Sequence, residues 1–343
     1  MPRNSRPDSV WILILFMLLL AGCGRQATVS AEWSLFTRRF LADDGRVVDT
    51  GNRGISHSEG QGFGMLLAQG YGDRPGFERI WQWTRQNLQV RQDFLCAWKY
   101  VPGQGVVDRN NASDGDILIA WALLKAGREW QRDDYLKESR NILADIRHQL
   151  VREWQGKSVL LPGAAGFEKA DGLTVNLSYW VFPAFRDFRQ FDPSPVWDEL
   201  TASGLFLLEA ARFGRWHLPP DWMQLAEEVR IAPGFSPLFG YDAIRIPLYS
   251  LWGGVLSPER RRDFLAFAEE CQREKGFLVP SVDLLTDVPA TYEAGKGFHA
   301  VYGLLQTVAD QRQEIPDRQP ADSDDYYSSS LVLLARAAAR MRP

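Results

Sequence analysis

Asp114-Gly-Asp-Ile-Leu-Ile-Ala-Trp-Ala-Leu-Leu-Lys-Ala-Gly-Arg-Glu-Trp130 sets Ile117, Ala120, Trp121, Leu124 and Gly127 at steps of three and four. That spacing returns to one side of a 3.6-residue helix, so the stretch reads as a helix with a broad apolar face. Asp133 to Val151 repeats the pattern with Tyr135, Leu136, Ile142, Leu143, Ile146 and Leu150. Two such helices joined by a few residues make a helical hairpin. Further helix starts are expected near Ala31, Glu59, Phe77, Asn176, Pro195, Pro220, Tyr241, Pro258, Gly297 and Asp325. The total is about twelve, read from apolar spacing and start signals. Ser257-Pro258-Glu259 joins a capping hydroxyl, a first-turn proline and an early acid, and Ser194-Pro195 has the same form. Strand signals are confined to Ser158–Leu161 and Gly276–Val279, short apolar runs beside glycine or proline. No repeat of 20–50 residues supports a helical solenoid. The expected fold is all-α, an (α/α)6 toroid of six hairpins, with inner helices walled by outer ones and a groove at one end.

Composition narrows the function. The 343 residues are 45% hydrophobic, enough for a sizeable core, and no linker divides residues 31–343, which read as one domain. The net charge is −4 with no basic block, which argues against nucleic acid as a partner because phosphate binding needs clustered Lys and Arg. Aromatics are plentiful, with 13 Trp, 10 Tyr and 19 Phe. Many will be core, but an indole face also stacks on sugar rings. The four histidines, His57, His148, His217 and His299, lack metal-ligand spacing, so no metal is expected. Cys96 and Cys271 could pair or remain thiols.

The N-terminus reads as a targeting segment. Arg3 and Arg6 precede the apolar run Val10–Leu20, which is shorter than the ~20 residues that span a bilayer. Leu20-Ala21-Gly22-Cys23 then has the form of a bacterial lipoprotein signal. Residues 1–22 would be removed, Cys23 lipidated, and 23–30 left as a short tether. Gly24, where an Asp would favour retention at the inner membrane, points to the outer membrane. The expected address is the periplasm, with membrane contact only through the lipid.

Three acidic stretches open expected helices: Ser56-His-Ser-Glu-Gly-Gln-Gly-Phe-Gly-Met65, Ala112-Ser-Asp-Gly-Asp116 and Gly240-Tyr-Asp-Ala-Ile-Arg245. Acids at helix starts commonly serve as caps. Here, however, Gly60, Gly62 and Gly64 recur inside a helix, where each costs about 1 kcal/mol against alanine. That cluster implies close packing or close approach of a ligand. The acids also lie among Trp98, Trp121, Tyr179, Trp180 and Tyr241, a mixed polar and aromatic setting suited to a sugar chain.

Five motifs stand in order over most of residues 31–330: Gly45-Arg-Val-Val-Asp49; Ser58-Glu-Gly-Gln61 with Gly64-Met65; Ala112-Ser-Asp-Gly-Asp116 running to Ala120-Trp121; Leu160-Leu-Pro-Gly163; and Tyr241-Asp-Ala-Ile-Arg245. Together they resemble glycoside hydrolase family 8, and within it the periplasmic cellulases that accompany bacterial cellulose synthase. The resemblance implies an (α/α)6 toroid, no cofactor, and inverting, endo-acting hydrolysis of a β-1,4-glucan such as cellulose. It makes Glu59 the general acid, Asp242 the general base, and Asp114 the acid beneath the sugar at the cleavage point. Candidate substrate-binding residues are Trp98, Trp121, Tyr179, Tyr241, Arg245, Gln61 and Asp116, the last either binding sugar or supporting its helix start. Cys96-Ala-Trp-Lys99 is less Trp-rich than the family pattern, and a lipid anchor is not universal in the group.

An inverting pair stands about 6.5–9.5 Å apart, leaving room for a water. A helix start lowers a carboxyl pKa, which suits Asp242 as base; Glu59 would need burial or a neighbour such as Asp114 to hold its proton. A monomer is expected, with room for association with cellulose synthesis and export machinery. The alternatives are a non-catalytic glucan-binding envelope lipoprotein, or a chitosanase or xylanase of the same family, between which net charge does not choose.

Overall fold

The computed structural model describes residues 30–310 and 323–340. The signal segment 1–22, Cys23 and the tether up to residue 29 lie outside the described residues, as does most of the polar stretch before the last helix. Eleven α-helices occur among the described residues. They are α1 (Ala31–Phe40), α2 (Ser58–Gly70), α3 (Arg74–Asn87), α4 (Ser113–Glu129), α5 (Asp133–Gln149), α6 (Phe182–Phe191), α7 (Val196–Ala210), α8 (Arg245–Trp252), α9 (Pro258–Lys275), α10 (Lys296–Ala309) and α11 (Tyr326–Arg340).

Six of these helices close on themselves. Following contacts from α2, the ring runs through α4, α6, α8, α10 and α11 and returns to α2. The remaining five stand outside it: α3 against α2, α5 against α4, α7 against α6, α9 against α10, and α1 against α11. Burial separates the two layers. All eight residues of α8 are buried, as are 14 of 17 in α4. In the outer α5 only five of 17 are buried, on one stripe: Tyr135, Ser139, Ile142, Leu143 and Ile146. This is the (α/α)6 toroid. Inner helices are apolar around their circumference because they pack on both sides, whereas outer helices keep a polar face to water.

The glycines of α2 are explained by this packing. A Cβ on Gly62 would lie 2.6 Å from the Leu118 Cβ of α4, and one on Gly64 2.7 Å from Val47 Cγ2. On the facing helix, a Cβ on Gly115 would lie 2.7 Å from the Glu59 main-chain nitrogen. The starts of α2 and α4 therefore touch backbone to backbone, a separation that no side chain would allow. The two ends of the chain are fastened by Glu32 of α1. It accepts hydrogen bonds from Arg336, from Arg340 (3.0 Å) and from the Tyr71 hydroxyl (2.5 Å).

Short strands furnish the loops. β1 (Ser56–His57), β2 (Ala97–Val101) and β3 (Gly105–Asn111) form an antiparallel sheet that leads into α2. β4 (Val151–Trp154) pairs with β5 (Lys157–Leu160), as the Ser158–Leu161 signal implied. A four-stranded sheet joins β6 (Glu168–Lys169), β7 (Gly172–Val175), β8 (Met223–Leu225) and β9 (Val229–Ile231).

Three expectations are corrected. No helix starts at Pro220: that region folds into the β8–β9 hairpin, whose β8 pairs with β7. Asn176 caps only a three-residue 3₁₀ turn, Leu177–Tyr179, and α6 begins at Phe182 with Pro183 in its first turn. Gly276–Val279 is not a strand. Gly276 ends α9 in the left-handed conformation at φ 79°, and pairing begins later, between β10 (Leu238–Phe239) and β11 (Val282–Asp283). Ser257 does cap α9, accepting from the Arg260 N–H. Cys96 and Cys271 are both buried free thiols.

Candidate active site

The starts of α2, α4, α8 and α11 border one cleft of about 580 Å³. Glu59 is in the first turn of α2. His57 caps that helix, its Nδ1 accepting from the Gly60 N–H at 3.0 Å. An accepting Nδ1 leaves the ring proton on Nε2, which faces Asp49 Oδ2 at 3.3 Å. Asp114 occupies the equivalent position in α4, its Oδ1 accepting from the Gly115 N–H at 2.8 Å. Asp242 lies in the turn Tyr241–Ile244, and α8 starts at Arg245.

Arg245 joins the three acids. Its guanidinium is paired with Glu59 through Nη1. Nη2 lies 2.9 Å from Asp242 Oδ1, 3.6 Å from Asp114 Oδ2 and 3.0 Å from Ser178 Oγ. The side chain is only 3% exposed. A guanidinium is a rigid planar fork, so the Glu59 and Asp242 oxygens it bridges are no more than about 8 Å apart. Three acids against one cation leave an excess of negative charge in the cleft.

Asp114 is accordingly raised above the ordinary aspartate range, chiefly by burial. Asp242 is raised by burial, then by the charges of Asp221 and Asp114, while hydrogen bonds from Asn176 and Trp222 act in the opposite sense. This corrects the expectation that a helix start would lower Asp242. The group lies in the turn before α8, outside its first turn, and a half-buried carboxyl crowded by other carboxyls gains protons.

The aromatic residues divide. Trp98, Tyr179 and Tyr241 line the cleft. The Trp98 indole N–H donates to Asp108 at 2.7 Å, and the Tyr179 ring lies 5.8 Å from the Arg245 guanidinium. Tyr241 is 49% exposed, and its carbonyl accepts from the Tyr327 hydroxyl.

Trp121, Gln61 and Asp116 do not reach the cleft. Trp121 is 1% exposed, packs edge-to-face on Trp252 at 5.2 Å and donates to Asp187 at 2.6 Å. It shares a face with Asp114 but lies seven residues on, about 10 Å deeper along the helix. Gln61 and Asp116 each stand two residues past an acid of the cleft, a rotation of about 200° that turns them away. Gln61 accepts from the Val47 N–H at 2.6 Å and donates to Thr84 Oγ1 at 2.9 Å. Asp116 is fully buried and accepts from the Cys96 N–H at 2.7 Å and from Asn111 Nδ2 at 2.8 Å. Burial pushes it up to about 8. It therefore supports the helix start and fastens the strand carrying Trp98.

Sequence reading passed over Asp49, His57, Tyr327, Asn176 and Asp221. Asp49 closes a motif used for the family resemblance and His57 adjoins Ser58, so both had a signal. Asp221 had none, since only the fold brings it to Asp242.

A family model described as glycosyl hydrolases family 8 matches residues 8–340. A probable endoglucanase of Novacetimonas hansenii is 41% identical over 315 residues, 90% of each chain. Among solved structures, the endo-β-1,4-glucanase CMCax from Acetobacter xylinum superposes with a TM-score of 0.84 at 39% identity, covering 92% of this chain and 99% of its own. Endoglucanase Cel10 from Klebsiella pneumoniae, a family 8 glycosyl hydrolase, gives 0.85 at 37% identity, covering 92% and 100%.

Proposed function

The chain belongs to family 8 of the glycosyl hydrolases, and from that premise we propose that it cuts internal β-1,4 bonds of a glucan, cellulose first among them, with Glu59 as general acid and Asp242 as general base. The observation that carries this reading is the single guanidinium of Arg245 gathering Glu59, Asp114 and Asp242 at the bottom of an aromatic-lined cleft.

In the free protein Glu59 is paired with Arg245. A sugar entering the cleft competes for that contact. Once the pair opens, Glu59 can hold a proton toward the glycosidic oxygen as the leaving sugar departs. Asp242, with a raised proton affinity, draws a proton more strongly from water than an ordinary aspartate. The activated water adds its oxygen to the anomeric carbon from the face opposite the leaving group, inverting the configuration. Asp114, which lines the same cleft beside Arg245, holds the sugar at the cleavage point in this reading.

The test is reducing-end release and viscosity loss on carboxymethylcellulose. Glu59→Gln and Asp242→Asn should each lower the rate at least 100-fold while the protein remains folded by circular dichroism. Near-normal rates in either folded variant refute the assignment. Viscosity should fall well before reducing ends accumulate if cutting is internal. Xylan and chitosan tested side by side separate the other substrates of the family.

We further propose that Cys23 carries a lipid that holds the domain at the outer membrane, facing the periplasm, where it trims glucan in company with cellulose synthesis and export. Cys23→Ser should move the protein from the membrane to the soluble fraction; unchanged fractionation rules the anchor out.

A further inference from the structure

Asp242 sits on a short turn, and what lies behind that turn is a second carboxyl. Asp221 Oδ1 accepts from the Gly240 N–H at 3.0 Å and from the Ala243 N–H at 2.7 Å, bracketing Asp242 on both sides. A Cβ on Gly240 would lie 2.8 Å from Asp221 Oδ2, so the carboxyl fills the space beneath the turn. Asp221 is itself fixed by its own N–H, which donates to the Leu238 carbonyl at 2.7 Å. The next residue, Trp222, is held between Phe167 and Phe235, with ring centroids 5.8 and 4.6 Å away and planes within 17° of parallel. Its side chain hydrogen-bonds Asp242. Asp221 is absent from the cleft wall, so a sugar would not touch it.

We propose that Asp221 is a positioning residue that holds the Asp242 turn from behind and, as a second carboxyl against it, governs the pH at which Asp242 accepts a proton. This rests on Asp242 being the base. The charged and titratable groups around Asp242 are Asp221 from the β8 side, Asp114 from α4, Arg245 from α8 with its partner Glu59 from α2, Tyr179 from the 3₁₀ turn and Tyr327 from α11. Arg245 favours the ionised base, while Asp221 and Asp114 oppose it. Asp221 also differs from Asp114 in being reachable by substitution without changing a group that meets substrate.

Asp221→Asn is the informative change, because an amide oxygen can accept the same two N–H bonds while the charge is lost. The acidic limb of kcat/KM reports the base of the free enzyme. Removing a negative neighbour lowers the pKa of that base, so the limb should move about one pH unit toward acid, with KM little changed. At a pH one unit below the original limb this is a several-fold gain in kcat/KM relative to the variant's own plateau. Asp221→Ala, which loses the two hydrogen bonds as well, should cut kcat, and Asp221→Asn should restore most of it.

A folded Asp221→Asn protein whose limb is unmoved or moves toward alkali overturns the proposal, as does one that is inactive. Were Asp221→Asn to unfold, ¹³C carboxyl titration of the unaltered chain decides. Asp221 and Asp242 should each titrate in two steps, and two independent single steps overturn the proposal. Failure of the underlying reading looks different: Asp242→Asn would then retain activity whatever Asp221 does.

Discussion

Arg245→Met tests the electrostatic logic of the site. The arginine is 3% exposed and is the cation shared by Glu59, Asp114 and Asp242. Methionine keeps much of the stem's bulk and removes the charge. Taking one partner from a buried ionic cluster typically costs ~3–5 kcal/mol, because the charges left behind are uncompensated. These groups have an escape, since each can take up a proton. The folded pKa values of Asp114 and Asp242, already raised, then rise further above the unfolded values near 4, so the folded state binds more protons than the unfolded one. Stability on their account is present at low pH and lost as pH rises through the folded pKa, by about 1.4 kcal/mol per pH unit for each group in its titration range. The deficit of Arg245→Met should therefore be close to its full value at pH 8 and smaller by ~2 kcal/mol or more at pH 5. Urea unfolding of both proteins at the two pH values gives the comparison. A deficit independent of pH, or none at pH 8, would refute the view that this guanidinium offsets part of the charge of the three acids.

Other expectations follow from single contacts. Gly115→Ala sets a methyl 2.7 Å from the Glu59 nitrogen and must push the starts of α2 and α4 apart; unfolding should show a loss of ~1–3 kcal/mol, and the glucanase rate should fall by more than the folded fraction does. Asp116→Asn puts an amide where a carboxyl accepts from both Cys96 and Asn111, and its second oxygen position becomes a donor facing the Asn111 donor. The folded pKa of Asp116 is raised to about 8, so its contribution to stability falls as pH climbs from about 4 to 8; the variant should melt lower overall and with a flatter dependence on pH in that range. Trp98→Ala removes an aromatic wall of the cleft without touching the proposed acid or base, and should raise KM for cello-oligosaccharides several-fold with kcat nearly unchanged.

Much of the ring was legible because helix periodicity is local. The apolar spacing of α4 and α5 and the cap at Ser257 are properties of a few neighbouring residues, and the structure keeps them. The Pro220 region failed for the complementary reason. Trp222, Leu225, Ala226 and Val229 fall at steps that suit one face of a short helix, but β7 offers β8 an edge to pair with, and sequence carries no sign of that partner. At the site, motif residues next to the acids drew attention through adjacency in the chain. Helix geometry then separated them, turning Gln61 and Asp116 away and leaving Trp121 deep in the core. Asp221, twenty-one residues before Asp242, has no local pattern at all; it is a product of how the β8 strand and the turn before α8 fold together.

The proposed division of labour makes a stereochemical statement that a spectrum can read. A β-1,4-linked cello-oligosaccharide is mixed with the protein in deuterated buffer, and anomeric proton signals are followed by NMR before mutarotation proceeds. An acid and a base acting from opposite sides of the bond predict that the α anomer of the new reducing end appears first. First appearance of the β anomer would contradict the account.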